Sequence, residues 1–400
     1  MHRKKKSQVF NKEAKAAKPR VSIDATSSSA FDVVIPPSES IKSDSENVAS
    51  IEDIMLPQKH SYEVDTENIV KPHQTHIHEF LPRIVVIGIG GGGSNAVNNM
   101  IKSGLKGVDF VTCNTDAQHL STTLAHHKLQ IGPELTSGLG CGANPVAGRE
   151  AAEESKDQIT ELVQDSHMVF VTAGMGGGTG TGASPVVAEI CYNLGILTVG
   201  IVTKPFRFEG SRRMRIANDG IIELRQVTDS LIVVPNQNLF NVATENTSFL
   251  QSFAIADNVL LDGVKSVTDL MTTPGLINLD FADVQNIMHG TGNAYIGTGI
   301  ASNGDNNEVD RAMRAAQMAL TNPLLGENVD ISSAKGLLIS ISGGRDMLLF
   351  EVEKAAQVIT ERISDENANI VFGSAYDESL DGSIRISVVA TGIDEVTSDF

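Results

Sequence analysis

Tryptophan is absent from this 400-residue chain, and aromatics together make up only 4% of it. The cores are therefore expected to be aliphatic, drawn from an ordinary hydrophobic content of 41%. No apolar run approaches the roughly 18 residues of a membrane-crossing helix, which excludes a direct membrane span. The start Met1-His2-Arg3-Lys4-Lys5-Lys6 is basic, but no apolar stretch follows it, so no secretory signal is expected. Cysteine is scarce: Cys113, Cys141 and Cys191 lie far apart, with no CxxC pair. That excludes a zinc knuckle or a disulfide framework and points to reduced thiols in a cytosol-like compartment. Positive charge is in deficit, with 31 Lys and Arg against 49 Asp and Glu, a net −18. Nucleic acid is excluded as the main partner, because phosphate backbones demand Lys and Arg. The same deficit poses a question: if the ligand is phosphorylated, which groups hold its phosphates?

What is present falls into sections. Residues 1–80 read as a disordered extension. Its first twenty residues hold Arg3, Lys4, Lys5, Lys6, Lys12, Lys15, Lys18 and Arg20 against the single acid Glu13. This basic head suits an anionic membrane surface, a targeting address or simply a solvated arm. Ile51-Glu52-Asp53-Ile54-Met55-Leu56-Pro57 has the look of a docking peptide, although short biased segments arise by chance. His73, His76 and His78 read as solvated. From Pro82 the grammar changes. Arg83–Ile87 is a buried parallel strand ending in glycines. Strands at 108–113, 168–173, 196–202 and 230–234 alternate with helices at 144–163 and 181–192, which predicts a parallel α/β sheet over 81–247. A helix over 248–272 is apolar on several sides, as for a helix buried between two layers, and Thr272-Thr273-Pro274-Gly275 stops it. Strands at 294–301, 336–342, 370–374 and 384–390, with helices at 308–320 and 349–363, form a smaller α+β domain over 273–393. It is expected to pack on the far side of the long helix and to leave a short tail, 394–400.

Two glycine turns carry the chemistry. Gly88-Ile89-Gly90-Gly91-Gly92-Gly93 follows the first strand and leads to a helix near Asn95. It satisfies G-x-G-x-x-G, a pattern that fits a dinucleotide site equally well. Gly174-Met175-Gly176-Gly177-Gly178-Thr179-Gly180-Thr181-Gly182 is more specific. Glycines let backbone N–H groups converge on an anion, and the following helix adds positive potential. No Lys follows, so this is no Walker A loop. Amides and a helix dipole thus answer the charge question.

That loop resembles the signature loop of the tubulin/FtsZ family. Asn114-Thr115-Asp116-Ala117, Gly138-Leu139-Gly140-Cys141-Gly142-Ala143-Asn144-Pro145, Phe206-Arg207-Phe208-Glu209-Gly210 and Asn278-Leu279-Asp280-Phe281-Ala282-Asp283-Val284 follow the order of that family's bacterial branch. The match runs from about residue 82 to 392. The resemblance implies a tubulin/FtsZ-like fold: a parallel-sheet GTP-binding α/β domain, a long central helix and a smaller α+β C-terminal domain. It implies phosphate contacts from Gly91, Gly92, Asn95, Gly142, Ala143, Gly178, Thr179 and Gly180, with Gly93, Asn114 and Gly177 also among the nucleotide-binding residues. Glu209 and Arg213 would hold the ribose and phosphate side, and Asn236, Phe253 and Asp257 the base. A carboxylate accepts from guanine N1–H and the exocyclic amine, an edge adenine does not present. Taken singly, Glu209 and Arg213 also read as a surface i,i+4 pair, Phe253 as core and Asp257 as a solvated acid.

Hydrolysis needs a group that orients water, which the glycine loops do not offer. Asp280, Asp283 and Asn278 are the candidates, although Asp280 is also a good helix N-cap with Asp283 three residues on. The resemblance implies that this loop enters the next subunit's nucleotide pocket in a head-to-tail homopolymer, the filament of a division ring. It implies GTP and GDP as ligands, with Mg²⁺ carried on the nucleotide and no protein metal site. It also implies division-apparatus or membrane-tethering partners and a cytoplasmic location at the division site, with a mitochondrial or plastid interior as the alternative. The family's tail peptide is not expected after Phe400, which leaves the N-terminal extension as a replacement tether. The rival readings are an NAD(P)-dependent oxidoreductase on Gly88–Gly93, using Asp109 or Asp116 for the ribose, and a non-hydrolysing GTP-bound scaffold.

Overall fold

The computed structural model describes residues 82–393 apart from 242, 245, 274, 304–309, 323–330 and 366. Expectations placed on 1–80, on Ile51–Pro57, on His73, His76 and His78, and on 394–400 lie outside the described residues. From Ile84, β1 (Ile84–Ile89) leads into α1 (Gly90–Lys102), and β2 (Asp109–Asn114) into α2 (Ala117–Ser121). β3 (His127–Gln130) is followed by α3 (Pro133–Thr136), α4 (Pro145–Glu154) and α5 (Lys156–Val163). β4 (Met168–Gly174) precedes α6 (Thr179–Asn193), β5 (Leu197–Lys204) precedes α7 (Ser211–Arg225), and β6 (Ser230–Pro235) precedes the long α8 (Phe249–Thr272). The remainder is α9 (Phe281–Met288), β7 (Gly292–Ser302), α10 (Arg311–Leu320), β8 (Gly336–Gly343), α11 (Leu349–Thr360), β9 (Asn369–Tyr376) and β10 (Ser383–Thr391).

The strands form one sheet ordered β3-β2-β1-β4-β5-β6-β7-β10-β8-β9. All pairings from β3 across to β7 are parallel, whereas β10 is antiparallel to both β7 and β8. The expectation of a second domain packed beyond α8 needs this amendment: its strands continue the first sheet. The join is short, with Ser230, Leu231 and Ile232 of β6 opposite Gly292, Asn293 and Ala294 of β7.

The continuous apolar strands are buried on both faces. In β1, Ile84 and Val86 enter the core shared with α1 and α8, while Val85, Ile87 and Ile89 enter the core shared with α4–α7. Ser248 and Gln251 close the start of α8 reciprocally: Gln251 N donates to Ser248 Oγ at 3.2 Å, and Ser248 N to Gln251 Oε1 at 2.7 Å. Beyond Ala254 only Asn258 of this helix is exposed. Val259, Leu260, Val264, Val267 and Leu270 share one core with β1, β4, β5, β8 and β10, each contributing about 1.5–3 kcal/mol by burial. That two-sided packing is why the helix is apolar on several sides.

Local differences have local causes. The expected helix at 144–163 breaks at Ser155, whose Oγ accepts from Gly132 N at 3.0 Å. β3 and α7 are not among the expected elements. β3 is a short edge strand whose His127 and Lys128 are exposed, so it shows no apolar run. All three cysteines are free, and burial pushes the thiols of Cys113 and Cys191 up to about 12.

Candidate functional site

Strand order reverses at β1 and β4. Connections leave β1 toward β2 on one side and β4 toward β5 on the other, which opens a crevice beyond their carboxyl ends. Both glycine turns lie in it and they interlock. A Cβ on Gly90 would sit 2.8 Å from Gly180 N, and one on Gly92 would sit 3.0 Å from Gly174 N. Gly93 and Gly180 serve this packing: a Cβ there would meet Thr172 O at 2.4 Å and Gly174 O at 2.7 Å respectively. Gly91 and Gly92 are exposed, and nothing lies within 4 Å of a Cβ on Gly177.

α1 and α6 begin inside these turns, earlier than Asn95 and Thr181, where the sequence places their starts. Neither N-cap, Ile89 or Gly178, makes a side-chain hydrogen bond, and neither first turn holds an acid. Two helix ends with uncapped amides and positive potential therefore adjoin one crevice.

Two further loops close around it. The Thr115 and Thr179 hydroxyls are hydrogen-bonded at 2.7 Å, and Cys141 Sγ donates to Thr115 Oγ1 at 3.4 Å. Asp116 bridges Leu139, and a Cβ on Gly178 would lie 2.7 Å from that of Cys141. Gly142 and Ala143 are exposed, with φ of 55° and 59°. The left-handed Ala143 costs about 1–2 kcal/mol, held by the surrounding loops. Asn114 is buried, and its Oδ1 accepts from Asp116 N at 3.2 Å, so its side chain shapes the turn.

Beside the crevice is a cleft of about 440 Å³ that brings together Gly92, Asn95, Glu209, Arg213, Asn236, Phe253 and Asp257. Arg213 and Glu209 pair at 2.9 Å, and Glu209 Oε1 accepts from Phe206 N at 2.8 Å. Asn236 is 6% exposed, and its Oδ1 is buried with no hydrogen-bond partner among the described residues. Phe253 is not core: it is 37% exposed in the cleft and packs edge-on to Phe206 at 5.7 Å and Phe249 at 5.0 Å. Asp257 is half-buried, and burial pushes its carboxyl up to about 6. Phe249 and Leu250 also line the cleft and were not expected there. Phe249 lies one turn before Phe253 on the same helix face, the one signal that finds it.

Asn278, Asp280 and Asp283 are not in this cleft. Asp280 is exposed and caps α9, its Oδ1 accepting from Asp283 N at 2.9 Å. Asn278 Oδ1 accepts from Gly275 N at 2.8 Å. Phe281, next to Asp280, meets the ring of His167 at 6.0 Å, just before β4, and Ser230 Oγ at the start of β6 donates to the carbonyl of Met288. α9 therefore lies at the amino ends of the parallel strands, while the glycine turns lie at their carboxyl ends. At about 3.3 Å per residue, the length of β4 separates the two by roughly 20 Å.

The acids invoked for a dinucleotide ribose are engaged elsewhere. Asp109 opens β2 at its amino end and pairs with Arg83 at 3.1 Å, and Asp116 Oδ1 accepts from His119 N. Among the described residues no group of three His, Cys, Asp or Glu side chains is placed to hold a metal ion, and no helix is long and apolar enough to cross a membrane.

The model of the Tubulin/FtsZ family GTPase domain matches residues 83–244, and that of the FtsZ family C-terminal domain matches 292–394. The chain is 58% identical over 327 residues to the cell division protein FtsZ of Bartonella bacilliformis, covering 82% of this chain and 54% of the relative. It thus spans about half the length of that protein. It is 55% identical to the cell division protein FtsZ of a Wolbachia species, covering 78% of this chain and 80% of the relative. An empty FtsZ dimer structure from M. jannaschii superposes with a TM-score of 0.74 at 41% identity, covering 81% of this chain and 95% of the other.

Proposed function

The chain belongs to the FtsZ family, and from that premise we propose that it is a GTPase assembling head-to-tail into division-ring filaments, with each active site shared by two subunits. The observation that carries this reading is the separation of two half-sites. A crevice edged by the uncapped helix ends, with a cleft of about 440 Å³ beside it, stands at the carboxyl ends of β1 and β4. The Asp280–Asp283 loop stands at the opposite strand ends, with Asp280 exposed. A second copy displaced along the strand direction offers its loop to the first copy's crevice, and such a contact propagates without closing.

In this reading the amides of Gly91, Gly92, Gly177 and Gly178, with the Thr179 hydroxyl, grip the phosphates. Gly142 and Ala143 flank them, and Gly93, Gly180 and Asn114 hold the turns in shape. Arg213 and Glu209 take the ribose and phosphate side. Phe253 stacks on the base, while Asp257 and Asn236 read its edge. The unpaired Asn236 Oδ1 supports this, since a purine amine completes it. Asp280 and Asp283 of the neighbouring copy polarise the attacking water, with Asn278 bracing their loop. Mg²⁺ fits as an ion held by the nucleotide's own phosphates and water, where it offsets phosphate charge. Bacterial-type relatives named for cell division support a cytoplasmic place at the division site.

The test is phosphate release from GTP and Mg²⁺ against protein concentration. A rate per molecule rising steeply with concentration is expected, with Asp283→Ala binding GTP and assembling but losing turnover. Normal hydrolysis by an unassembled Asp283→Ala protein contradicts the shared site.

A further inference from the structure

We propose that His119 is a further nucleotide-binding residue, whose imidazole hydrogen-bonds a phosphate oxygen over the Gly91–Gly92 turn. The inference rests on the nucleotide reading above and adds to it the only side chain of α2 that meets the glycine cradle in the contacts at Gly91.

The backbone fixes where this ring goes. His119 N donates to Asp116 Oδ1 at 2.9 Å, Asp116 N donates to Asn114 Oδ1 at 3.2 Å, and Asp116 bridges Leu139. The residue is thus tied to the junction of two loops that enclose the crevice. Its ring lies against the first glycine turn: a Cβ on Gly91 would be 3.7 Å from His119 Cε1 and 4.0 Å from Nδ1. Those are ordinary contact distances for a Cβ that Gly91 lacks, so the ring faces the glycine across a gap about one methyl wide. Gly91 itself is exposed, which leaves space in front of both.

The second observation is an orphan. His119 Nε2 is buried with no hydrogen-bond partner among the described residues. Native structures rarely leave a buried polar atom in that condition, so the ring orientation that turns Nε2 out of it has to be weighed with the other. A half-turn of the ring about Cβ–Cγ exchanges Nε2 with Cε1, the atom that faces Gly91. In either orientation a ring nitrogen is turned toward the glycine turn, Nδ1 in one and Nε2 in the other. An imidazole N–H is a directional donor, and a phosphate oxygen is the acceptor it would meet beside the Gly91 and Gly92 amides.

Calorimetric titration of the full-length, nucleotide-free protein tests this with GDP, a slowly hydrolysed GTP analogue and guanosine. His119→Ala is expected to weaken one or both phosphorylated ligands by about tenfold or more and to leave guanosine unchanged. His119→Gln, which keeps a side-chain N–H, is expected to recover part of the loss. In the wild-type protein, the ring-nitrogen NMR signals of His119 are expected to shift with GDP or the analogue and not with guanosine. Unchanged affinity for both phosphorylated ligands in His119→Ala overturns the proposal, as does an equal loss for guanosine. Should the alanine variant fail to fold, unmoved ring-nitrogen signals in the wild type overturn it alone. A wild-type protein that binds no guanine nucleotide overturns the nucleotide reading and this one together.

Discussion

Asp257, proposed to read the base edge, shows how one residue's surroundings would set a condition on ligand recognition. Burial raises its carboxyl to about 6, against an ordinary carboxylate value near 4. Only the ionised form accepts both donors of a guanine edge. Nucleotide affinity is therefore expected to be level above about pH 6 and to fall as pH drops below it, by up to about tenfold per unit. Asp257→Asn should bind GTP at least about tenfold more weakly at pH 7.5 and lose this slope, as a fluorescent-nucleotide titration from pH 5 to 8 would show. A wild-type profile that is flat through pH 5 contradicts the role. In the sequence Asp257 is legible as a candidate site residue only through the order of motifs around it. Spacing alone allows a solvated acid, and its burial comes from the packing of α8.

Within α8, charge as well as apolar contact shapes stability. Asp262, Lys265 and Asp269 project from the buried helix, and Lys265 lies 3.8 Å from Asp269 and 3.6 Å from Asp377. Burial raises Asp269 to about 6, opposed by the charges of Lys265 and Arg385. A carboxyl whose folded pKa exceeds its unfolded one favours the folded state at low pH. That contribution is complete below about pH 4 and is lost as pH climbs through 6. Asp269→Asn should therefore gain about 1–2 kcal/mol over the wild type at pH 8, with the gain vanishing near pH 4. Thermal melts at the two pH values check this, and a variant less stable than the wild type at pH 8 would show that pairing with Lys265 outweighs burial. At this scale the sequence reads unevenly. β1, β4, β5 and α8 announce themselves by apolar runs, because they are buried on two sides. β3 does not, because His127 and Lys128 face solvent at a sheet edge.

For the molecule as a whole, the proposed division of one site between two subunits predicts complementation. Asp283→Ala keeps the cleft but lacks the acid, and Asp257→Asn keeps the acids but loses the base contact. Each alone should release little phosphate from GTP. A mixture should release more than the sum of the two, because some junctions pair an intact cleft with an intact loop. No recovery in a mixture that sedimentation shows to be co-assembled would contradict catalysis between neighbours.

The residues that make this arrangement possible are written in the chain itself. Glycines at 90–93 and 174–182 follow apolar strands and precede helices, and that succession alone specifies turns whose amides suit an anion. Alternating strands and helices likewise determine a parallel sheet. Sequence order does not say where such turns meet. Their convergence follows from β1 and β4 becoming neighbours, and the continuity of the sheet follows from three residue pairs between β6 and β7. Nor does it say that Asp280 and Asp283 lie a strand's length from the glycines, or that the ring of His119 faces Gly91. Those are distances between residues far apart along the chain, and only packing of the layers decides them.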